Sequence, residues 1–389
     1  MTSNDDIFNF LEAKPEENTP PPPPTTAGPI VIKKDLLDPC VSDIDEAHDE
    51  ELILDMGNGT MTKLTYQVPA KPTAEHELAT WEMLENVERR AWSNNSVGLK
   101  TGFNSFDKAF DGGWKPGFYV IAGDSNLGKS AMLTQINWKI LENNDKVYLM
   151  DFSLDDPMPD KVGRMVASWN RVIINAVKSP MQYSHLPLML VRRKEGINRL
   201  KKAVSKYRPY DSNFSSFIED IEEEVQRMKI ILEKTDPEIQ LVVAIDSFHD
   251  LAIKAKGMLT ETQKYNEIAQ WAADLAIKYD VVLIVTAELK KVEGIRRPQL
   301  GDLRESIKIR YEAKAILMVY NDVHYKGENA DVFFQRKNSP EKQPVFEVQI
   351  AKNKIHSFKG RFFYYFYPEM AYMEEVDDNT AKTFANSVT

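Results

Sequence analysis

Residues 123–130 read Gly123-Asp124-Ser125-Asn126-Leu127-Gly128-Lys129-Ser130. The spacing, G-x-x-x-x-G-K-S, is the pattern of a phosphate-binding loop, or P-loop. A short apolar run typical of a strand, 117–122, precedes the loop, and a run with helical periodicity, 130–140, follows it. In that context, backbone N–H groups and the positive end of the helix dipole surround a phosphate. The pattern therefore predicts a nucleoside triphosphate site.

Two residues of the loop have distinct predicted roles. Lys129 is expected to neutralise the β- and γ-phosphates, and the Ser130 hydroxyl to bind Mg²⁺. A second metal carboxylate is expected at the end of an apolar strand, and the run 241–246 ends in Asp246. An aspartate that only caps the next turn is the alternative for Asp246. We therefore expect ATP and Mg²⁺, with all eight loop residues contacting the nucleotide.

Hydrolysis also needs a base for the attacking water and a group that senses the γ-phosphate. The strand after the P-loop helix leads into Asp155, which is the predicted base. A plain loop acid is the alternative for this residue. A later strand ends at Glu288, which is the predicted sensor, and an ion pair with Lys290 or Lys291 is the alternative.

Lys352 and Lys354 lie two residues apart where a predicted strand ends. Alternate residues of an extended strand share one face. Both ammonium groups can therefore point at one γ-phosphate, including that of a neighbouring subunit, and we predict a catalytic role for both. The alternative is a pair of solvated edge charges that discourages sheet aggregation.

Strand and helix patterns alternate along the chain, which predicts an α/β fold with a mainly parallel central sheet. Strands are predicted at 117–122, 146–152, 240–246, 280–286, 315–320, 344–351 and 361–367. Helices are predicted at 129–141, 160–175, 214–234 and 262–278. The last two strands flank residues 352–360 and are expected to form a β-hairpin at the sheet edge.

Charge is distributed unevenly over the 389 residues. Residues 1–60 carry fourteen acidic residues and three lysines, a net charge of −11, whereas the whole chain carries −10. The rest of the chain is therefore close to neutral, at +1, and can still bind nucleic acid through a local basic surface. Cys40 is the only cysteine, and no run of 18 apolar residues exists. We expect a reducing, cytoplasmic setting and no membrane partner.

Composition divides the chain into four segments. Residues 1–72 are acidic and contain an unbroken proline run, so a disordered tail is predicted. Residues 73–97 contain a linker helix whose apolar face needs a groove, either on its own body or on a neighbouring subunit. The ATPase domain is expected at 98–376, and residues 377–389 are expected to be a second disordered tail.

From Thr101 to Glu375 the chain resembles the RecA-like ATPase domain of DnaB-like replicative helicases. The motifs that carry the resemblance are Thr101-Gly102-Phe103-Asn104-Ser105-Phe106-Asp107, the P-loop, Phe152-Ser153-Leu154-Asp155, Ile245-Asp246-Ser247, Asp302-Leu303-Arg304-Glu305-Ser306, and Ala351-Lys352-Asn353-Lys354 with Phe358-Lys359-Gly360. The resemblance implies a RecA-like fold and an ATP-hydrolysing, ring-forming helicase. It further implies a homo-oligomer, with a hexamer expected, that moves on single-stranded DNA during replication. The acidic tail in place of a helical N-terminal domain favours a phage or other mobile element as the source.

The chain departs from the family at positions that matter for chemistry. Asp155 stands where the family has a catalytic glutamate, and Glu288 where it has a glutamine. Lys354 occupies the position of the arginine finger, and it keeps the charge but loses the bidentate fork. These substitutions leave open an alternative, a RecA-type recombination or single-stranded-DNA-binding assembly factor that uses ATP as a switch with weak hydrolysis. A scaffold that binds ATP without turnover is a third reading.

Basic residues cluster between the predicted sensor and the D-L-R-E-S segment. The predicted DNA-binding residues are Lys290, Lys291, Arg296, Arg297 and Arg304. Such a cluster suits contacts to DNA phosphates, which are independent of sequence and sensitive to salt. A solvated loop is the alternative. A primase, polymerase, loader or single-stranded-DNA-binding protein is expected to dock on the acidic tail.

Overall fold

The computed structural model describes residues 48–55, 61–91, 98–254, 259–290, 294–303, 307–337 and 339–388. The chain divides into two compact units, a small one within 12–96 and a large one that contains 97–389. None of the described helices is long and apolar enough to cross a membrane.

The small unit begins with two antiparallel strands. Strand β1 (His48–Asp55) pairs with strand β2 (Met61–Val68) over their full length. The prediction that residues 1–72 are disordered is therefore wrong for these two strands, and residues 1–47 lie outside the described part. Acid content suggested disorder, but a Leu-Ile-Leu run in β1 and β-branched and aromatic residues in β2 favour extended pairing. The intervening Gly-Asn-Gly sequence is a hairpin signal that the composition argument ignored.

A helix over Glu75–Ala91 completes the small unit, which confirms the helix predicted within 73–97. Two glutamates in its first turn suit the positive end of the helix dipole. The Trp81 indole N–H donates to the Glu85 carboxylate at 2.8 Å, one turn along the same face. Leu84 and Val87 are more than half exposed.

Ten strands form the central sheet within the described residues of the large unit. They are β3 (Gly117–Gly123), β4 (Val147–Ser153), β5 (Tyr207–Tyr210), β6 (Gln240–Asp246), β7 (Val282–Glu288), β8 (Ala315–Asn321), β9 (Phe333–Gln335), β10 (Lys342–Asn353), β11 (Arg361–Tyr367) and β12 (Tyr372–Glu375). Their order is β12-β11-β10-β8-β3-β7-β6-β4-β5, and β9 pairs with β10. The six strands from β8 to β5 are parallel, and the others are antiparallel. The predicted α/β fold with a mainly parallel sheet is confirmed.

Strands β10 and β11 form the predicted hairpin, but they are not the outermost pair. Strand β12 adds to the free side of β11 and forms the edge of the sheet. The four-residue strands β5 and β12 were not predicted, because they are too short for their alternation to be distinguished from a loop.

Helices cover both faces of the sheet. Their bounds are Asn104–Ala109, Lys129–Asn143, Met158–Asn170, Ile174–Lys178, Pro187–Lys202, Ile218–Thr235, Glu261–Lys278, Ile307–Glu312, Asp322–Lys326 and Asp378–Ser387. In β3, Tyr119 and Ile121 pack on the face of the P-loop helix (Lys129–Asn143). Phe118 and Val120 pack on the opposite face, with the helices Ile218–Thr235 and Glu261–Lys278. This alternation buries β3 on both sides, as expected for a central parallel strand.

The prediction of a disordered tail at 377–389 is wrong for residues 378–387, which form a helix. The Asp377 side chain caps it by accepting hydrogen bonds from the backbone of Asn379 and Thr380. The Phe384 ring is buried and lies 5.7 Å from the ring of Phe363 on β11. The cap and one buried aromatic stabilise a segment whose composition alone is polar.

Candidate nucleotide-binding site

The parallel strands bring the predicted nucleotide residues to one edge of the sheet. Gly123 at the end of β3 is the register partner of Glu288 at the end of β7. Ser153 at the end of β4 is likewise the partner of Asp246 at the end of β6. Because carboxyl ends of parallel strands lie together, residues far apart in sequence meet beside the P-loop.

Glycines give the P-loop its conformation. Gly128, with φ of 106°, precedes the P-loop helix in the left-handed region that favours glycine. Asn126 also has a positive φ, of 62°. A Cβ atom on Gly123 would lie 2.4 Å from Cγ2 of Val319, so only glycine fits there. The first N–H groups of the helix that follows have no intrahelical partner and can donate to a bound phosphate.

Lys129 is the buried cation of the loop. Its side chain folds back, and Nζ donates to the backbone carbonyl of Asp124 at 2.8 Å. Burial lowers the pKa of Lys129, whereas the carboxylates of Glu288, Asp246 and Asp124 act in the opposite direction, in that order of strength. A desolvated ammonium group surrounded by acids is a strong partner for the β- and γ-phosphates.

Asp246 and Ser130 are the oxygen donors that could hold Mg²⁺. The hydroxyl of Thr286 on the neighbouring strand donates to the Asp246 carboxylate, which fixes its orientation. The described residues contain no cluster of three or more acidic, histidine or cysteine ligands. Mg²⁺ commonly binds through one or two protein oxygens, with water and nucleotide phosphates completing the octahedron. Asp246 and Ser130 therefore fit a nucleotide-associated Mg²⁺.

Glu288 lies directly against the P-loop. The Ser125 hydroxyl donates to its Oε1 at 3.0 Å, and its side chain is partly buried. The backbone N–H of Glu288 donates to Nδ1 of His249 at 3.2 Å. This hydrogen bond fixes the end of β7 to the turn that follows Asp246.

Asp155 is exposed, and no described residue forms a hydrogen bond or ion pair with its carboxylate. Its neighbour Asp156 binds Arg164, whose Nη1 lies 2.6 Å from the carboxylate. Burial acts to lower the pKa of Arg164, but the bond to Asp156 and the charges of Asp156 and Asp246 raise it overall. The structure thus places Arg164 in the electrostatic environment of Asp246.

Three residues of this region were missed by sequence reasoning. They are Arg164 on the helix Met158–Asn170, His249 after β6, and Tyr325, whose hydroxyl donates to the Asp124 carboxylate. Each comes from an element that does not contain a recognisable motif. For His249, the short distance along the chain from Asp246 was the one usable signal. That distance does not predict the hydrogen bond between His249 and Glu288.

Lys352 and Lys354 share a face, as alternation predicts. Lys352 Nζ donates to the carbonyls of Arg310 and Tyr311, and Lys354 Nζ donates to that of Tyr311 at 2.7 Å. These carbonyls are at the C-terminal end of the helix Ile307–Glu312, where cations are favoured. Burial lowers the pKa of Lys352 to about 8, the charge of Lys354 acts in the same direction, and Glu312 opposes it.

The two lysines lie far from the P-loop of their own chain. On the antiparallel strand β10, Lys352 is the partner of Ile316, and Ile316 is the partner of Val120. Beyond it, the backbone N–H of Lys354 donates to the carbonyl of Lys314, before β8 begins. At roughly 3.3 Å per residue, Lys354 lies about 17 Å along the strand direction from the start of the P-loop. A lysine side chain, with a four-carbon stem of about 6 Å, cannot cover that distance.

The predicted DNA-binding arginines are engaged within the fold. Arg297 forms two hydrogen bonds, at 2.7 and 2.8 Å, with the buried carboxylate of Glu347. Arg296 forms a bidentate pair with Asp302 at 2.6 and 2.7 Å. The Arg297 side chain is only 20% exposed, which disfavours a contact with DNA, and DNA binding by both arginines stays a prediction. Lys290 is exposed, whereas Lys291 and Arg304 lie outside the described residues.

Comparison with known families agrees with this geometry. Residues 98–372 match the DnaB-like helicase C terminal domain. The chain belongs to the DnaB-like helicase family. The match includes the P-loop, the strand ends that lie beside it and the β10–β11 hairpin. It also includes every motif from Thr101 to Gly360. Membership indicates a nucleotide-binding domain of the replicative helicase type and favours that reading over a recombination switch.

Two relatives in the DnaB-like family match most of this chain but only part of their own length. The chain is 24% identical over 265 residues to a probable replicative DNA helicase of Trieres chinensis, over 66% of this chain and 53% of that protein. It is 22% identical over 298 residues to the replicative DNA helicase DnaB of Geobacillus stearothermophilus, over 73% of this chain and 61% of that protein. The chain therefore spans about half the length of the curated relatives it matches.

Two solved structures resemble this DnaB-like domain in fold. One is an ATPase domain solved by itself, which aligns with a TM-score of 0.62 at 21% identity, over 79% of this chain and all of that chain. The other is a DnaB-like replicative helicase, solved in a study of its interactions with primase, which aligns with a TM-score of 0.60 at 21% identity, over 79% of this chain and 68% of that chain. The RecA-like fold implied by the resemblance is confirmed.

Proposed function

We propose that this protein is an ATP-hydrolysing DNA helicase that moves along single-stranded DNA during replication as a ring of identical subunits. Family membership and the nucleotide edge support hydrolysis of ATP. The observation that supports a ring of subunits is the position of Lys352 and Lys354. Because these lysines cannot reach their own P-loop, a nucleotide contacted by both sets of residues must lie between two subunits.

Each side of such a shared site has a distinct task. The P-loop wraps the phosphates, and Lys129 exchanges the Asp124 carbonyl for phosphate oxygens. Ser130 and Asp246 hold Mg²⁺, which when bound neutralises phosphate charge. On the facing subunit, Lys354 and Lys352 exchange the carbonyls of the helix Ile307–Glu312 for the γ-phosphate. Moving these cations couples hydrolysis to the position of that helix.

Single-stranded DNA is proposed to contact the loop that leads out of β7. Lys290 is exposed there, and Lys291 and Arg304 belong to the same stretch of sequence. Arg296 and Arg297 hold this stretch to the body through Asp302 and Glu347, and so position the loop instead of contacting phosphate. Binding of this kind is electrostatic, and its affinity falls steeply with salt.

The remaining parts of the proposal concern assembly. The exposed Leu84 and Val87 suit the helix Glu75–Ala91 for packing on a neighbouring subunit of a ring, with a hexamer expected. A primase, polymerase, loader or single-stranded-DNA-binding protein is proposed to dock on the acidic segment 1–60. A primase is included among these partners because one of the similar solved structures is a DnaB-like replicative helicase described with its interactions with primase.

Mixing two inactive variants tests the shared site. Lys129→Ala removes the P-loop cation, and Lys354→Ala removes the facing cation. Each variant alone is expected to lose DNA-stimulated ATP hydrolysis, whereas a mixture forms some intact sites and recovers part of the rate. A lysine pair that acted within its own subunit would leave the mixture inactive.

Two controls accompany this test. Wild-type hydrolysis is measured with and without single-stranded DNA, since absence of stimulation would contradict a DNA motor. Nucleotide binding by Lys354→Ala, followed with a fluorescent ATP analogue, shows whether its P-loop is intact. Electron microscopy of the assembled protein should show closed rings, and open filaments would contradict the proposal.

A further inference from the structure

Two carboxylates compete for the role of catalytic base, and their surroundings differ. Asp155 follows β4, is exposed, and has no hydrogen-bond partner among the described residues. Glu288 ends β7, which pairs directly with the strand that leads into the P-loop. Its Oε1 accepts a hydrogen bond from Ser125, the third residue of that loop, at 3.0 Å. The Glu288 side chain is therefore held against the P-loop, whereas the Asp155 carboxylate is not held by any described side chain.

The Glu288 backbone is also held firmly. Its N–H donates to Nδ1 of His249 at 3.2 Å, and His249 follows shortly after Asp246 in the chain. The turn that presents the metal carboxylate thus also fixes the end of β7. Such support keeps a reacting side chain in the narrow range of positions that general base catalysis requires.

We propose that Glu288 is the general base of ATP hydrolysis in this chain and that Asp155 is not. The proposal rests on the function proposed above. A water molecule held beside Ser125 attacks the γ-phosphorus, and its proton passes to the Glu288 carboxylate. The bond between the γ-phosphorus and the bridging oxygen breaks, and its electron pair remains on the β-phosphate oxygen of ADP. Inorganic phosphate leaves, and Glu288 returns the proton to solvent.

A neutral, equally large side chain at position 288 separates this role from phosphate sensing. Glu288→Gln keeps an acceptor and a donor near the γ-phosphate but cannot take a proton. We expect turnover to fall by about 100-fold or more, since loss of a general base commonly has that effect. Binding of a fluorescent ATP analogue should stay within about threefold of wild type, which also shows that the variant is folded. Glu288→Asp retains a carboxylate and should keep part of the rate.

Two further variants complete the comparison. Asp155→Asn should lose less than tenfold in turnover, and the exposed Glu233→Gln, far from the P-loop on the helix Ile218–Thr235, is the control for loss of one negative charge. Turnover in Glu288→Gln that equals or exceeds wild type would overturn the proposal and make Glu288 a sensor or a brake. Loss of turnover in Asp155→Asn would return the base to that residue. Absence of turnover in wild type would instead refute the ATPase function itself.

Discussion

Arg297 and Arg361 hold one buried carboxylate between them. Glu347 is 1% exposed, and Arg361 Nη1 lies 2.8 Å from its Oε2, opposite the two bonds from Arg297. The Arg297 guanidinium also lies over the Tyr320 ring, at 4.8 Å from its centre. A basic residue chosen from sequence as a DNA contact is therefore part of the hydrophobic body. Charge in a loop predicts a solvated or DNA-binding role only when no buried acid lies within reach.

Replacing Arg297 by alanine is expected to destabilise the fold. Glu347 would keep only one of its two arginine partners, and removing one partner of a buried carboxylate costs about 3 kcal/mol. Urea unfolding measures the change. Arg199→Ala, which breaks a half-exposed pair with Glu142, should cost less than about 1 kcal/mol. Unchanged stability together with weaker DNA binding in Arg297→Ala would instead support a direct DNA contact by this residue.

Lys352 makes turnover sensitive to pH if it contacts phosphate. Burial and the charge of Lys354 lower its pKa from 10.5 to about 8, so the folded protein releases this proton before the unfolded chain does. Its contribution to stability therefore rises with pH between about 8 and 10.5. Its positive charge is lost over the same range, and DNA-stimulated turnover should fall above pH 8. Lys352→Arg stays charged and should remove this fall, and an identical profile in both proteins would contradict the prediction.

At the scale of elements, the C-terminal helix Asp378–Ser387 has one buried aromatic residue, Phe384, and Ala381 of the same helix packs on the same cluster. Phe384 packs with Phe363, Val332 and Val345 in a small cluster beside β11. Its neighbours on the helix are mostly exposed. The helix is therefore held to the body by a single buried face.

Phe384→Ala should release this helix and destabilise the domain by about 3 kcal/mol, because a buried ring is lost and a cavity remains. Hydrogen exchange should rise in residues 378–387 and at the edge strand β12. The exposed Lys382→Ala is the matched control and should leave both quantities unchanged. Protection that persists in Phe384→Ala would show that the cap at Asp377 suffices.

The elements that could be predicted from sequence are those with strong local signals. Strands β3 and β6 are buried on both faces, so each is a continuous apolar run, and the helix Glu261–Lys278 has a clear period and a Thr260–Gln263 capping box. The predicted helix 160–175 instead ends at Asn170, because Arg171 adopts a left-handed conformation with φ of 52°. No sequence pattern marks that residue, since arginine rarely adopts it.

At the scale of the molecule, acidic residues are concentrated at one end of the chain. Residues 1–47 contain ten acids and three lysines, and they lie outside the described part of the structure. A segment with this charge competes with DNA phosphates for basic surface. Residues 61–389, by contrast, carry a net charge of only +1.

Deleting residues 1–47 should therefore tighten binding of single-stranded DNA at low salt. The gain should shrink as salt is raised, because screening weakens both the competition and the DNA contact. Fluorescence anisotropy with a labelled oligonucleotide across a salt series measures it. A variant with the ten acids changed to their amides separates charge from length, and equal affinity of all three proteins at low salt would contradict the prediction.

Local patterns sufficed to predict the P-loop, a metal role for Asp246 and the α/β class, because each prediction depends on a short stretch of sequence with a fixed chemical purpose. Tertiary structure decided which distant groups meet. It placed Glu288 against Ser125 and left Asp155 exposed, it paired Arg297 with Glu347, and it put Lys352 and Lys354 beyond the reach of their own P-loop. These outcomes follow from strand order and register, which are set by contacts between residues far apart in the chain and cannot be deduced from local spacing.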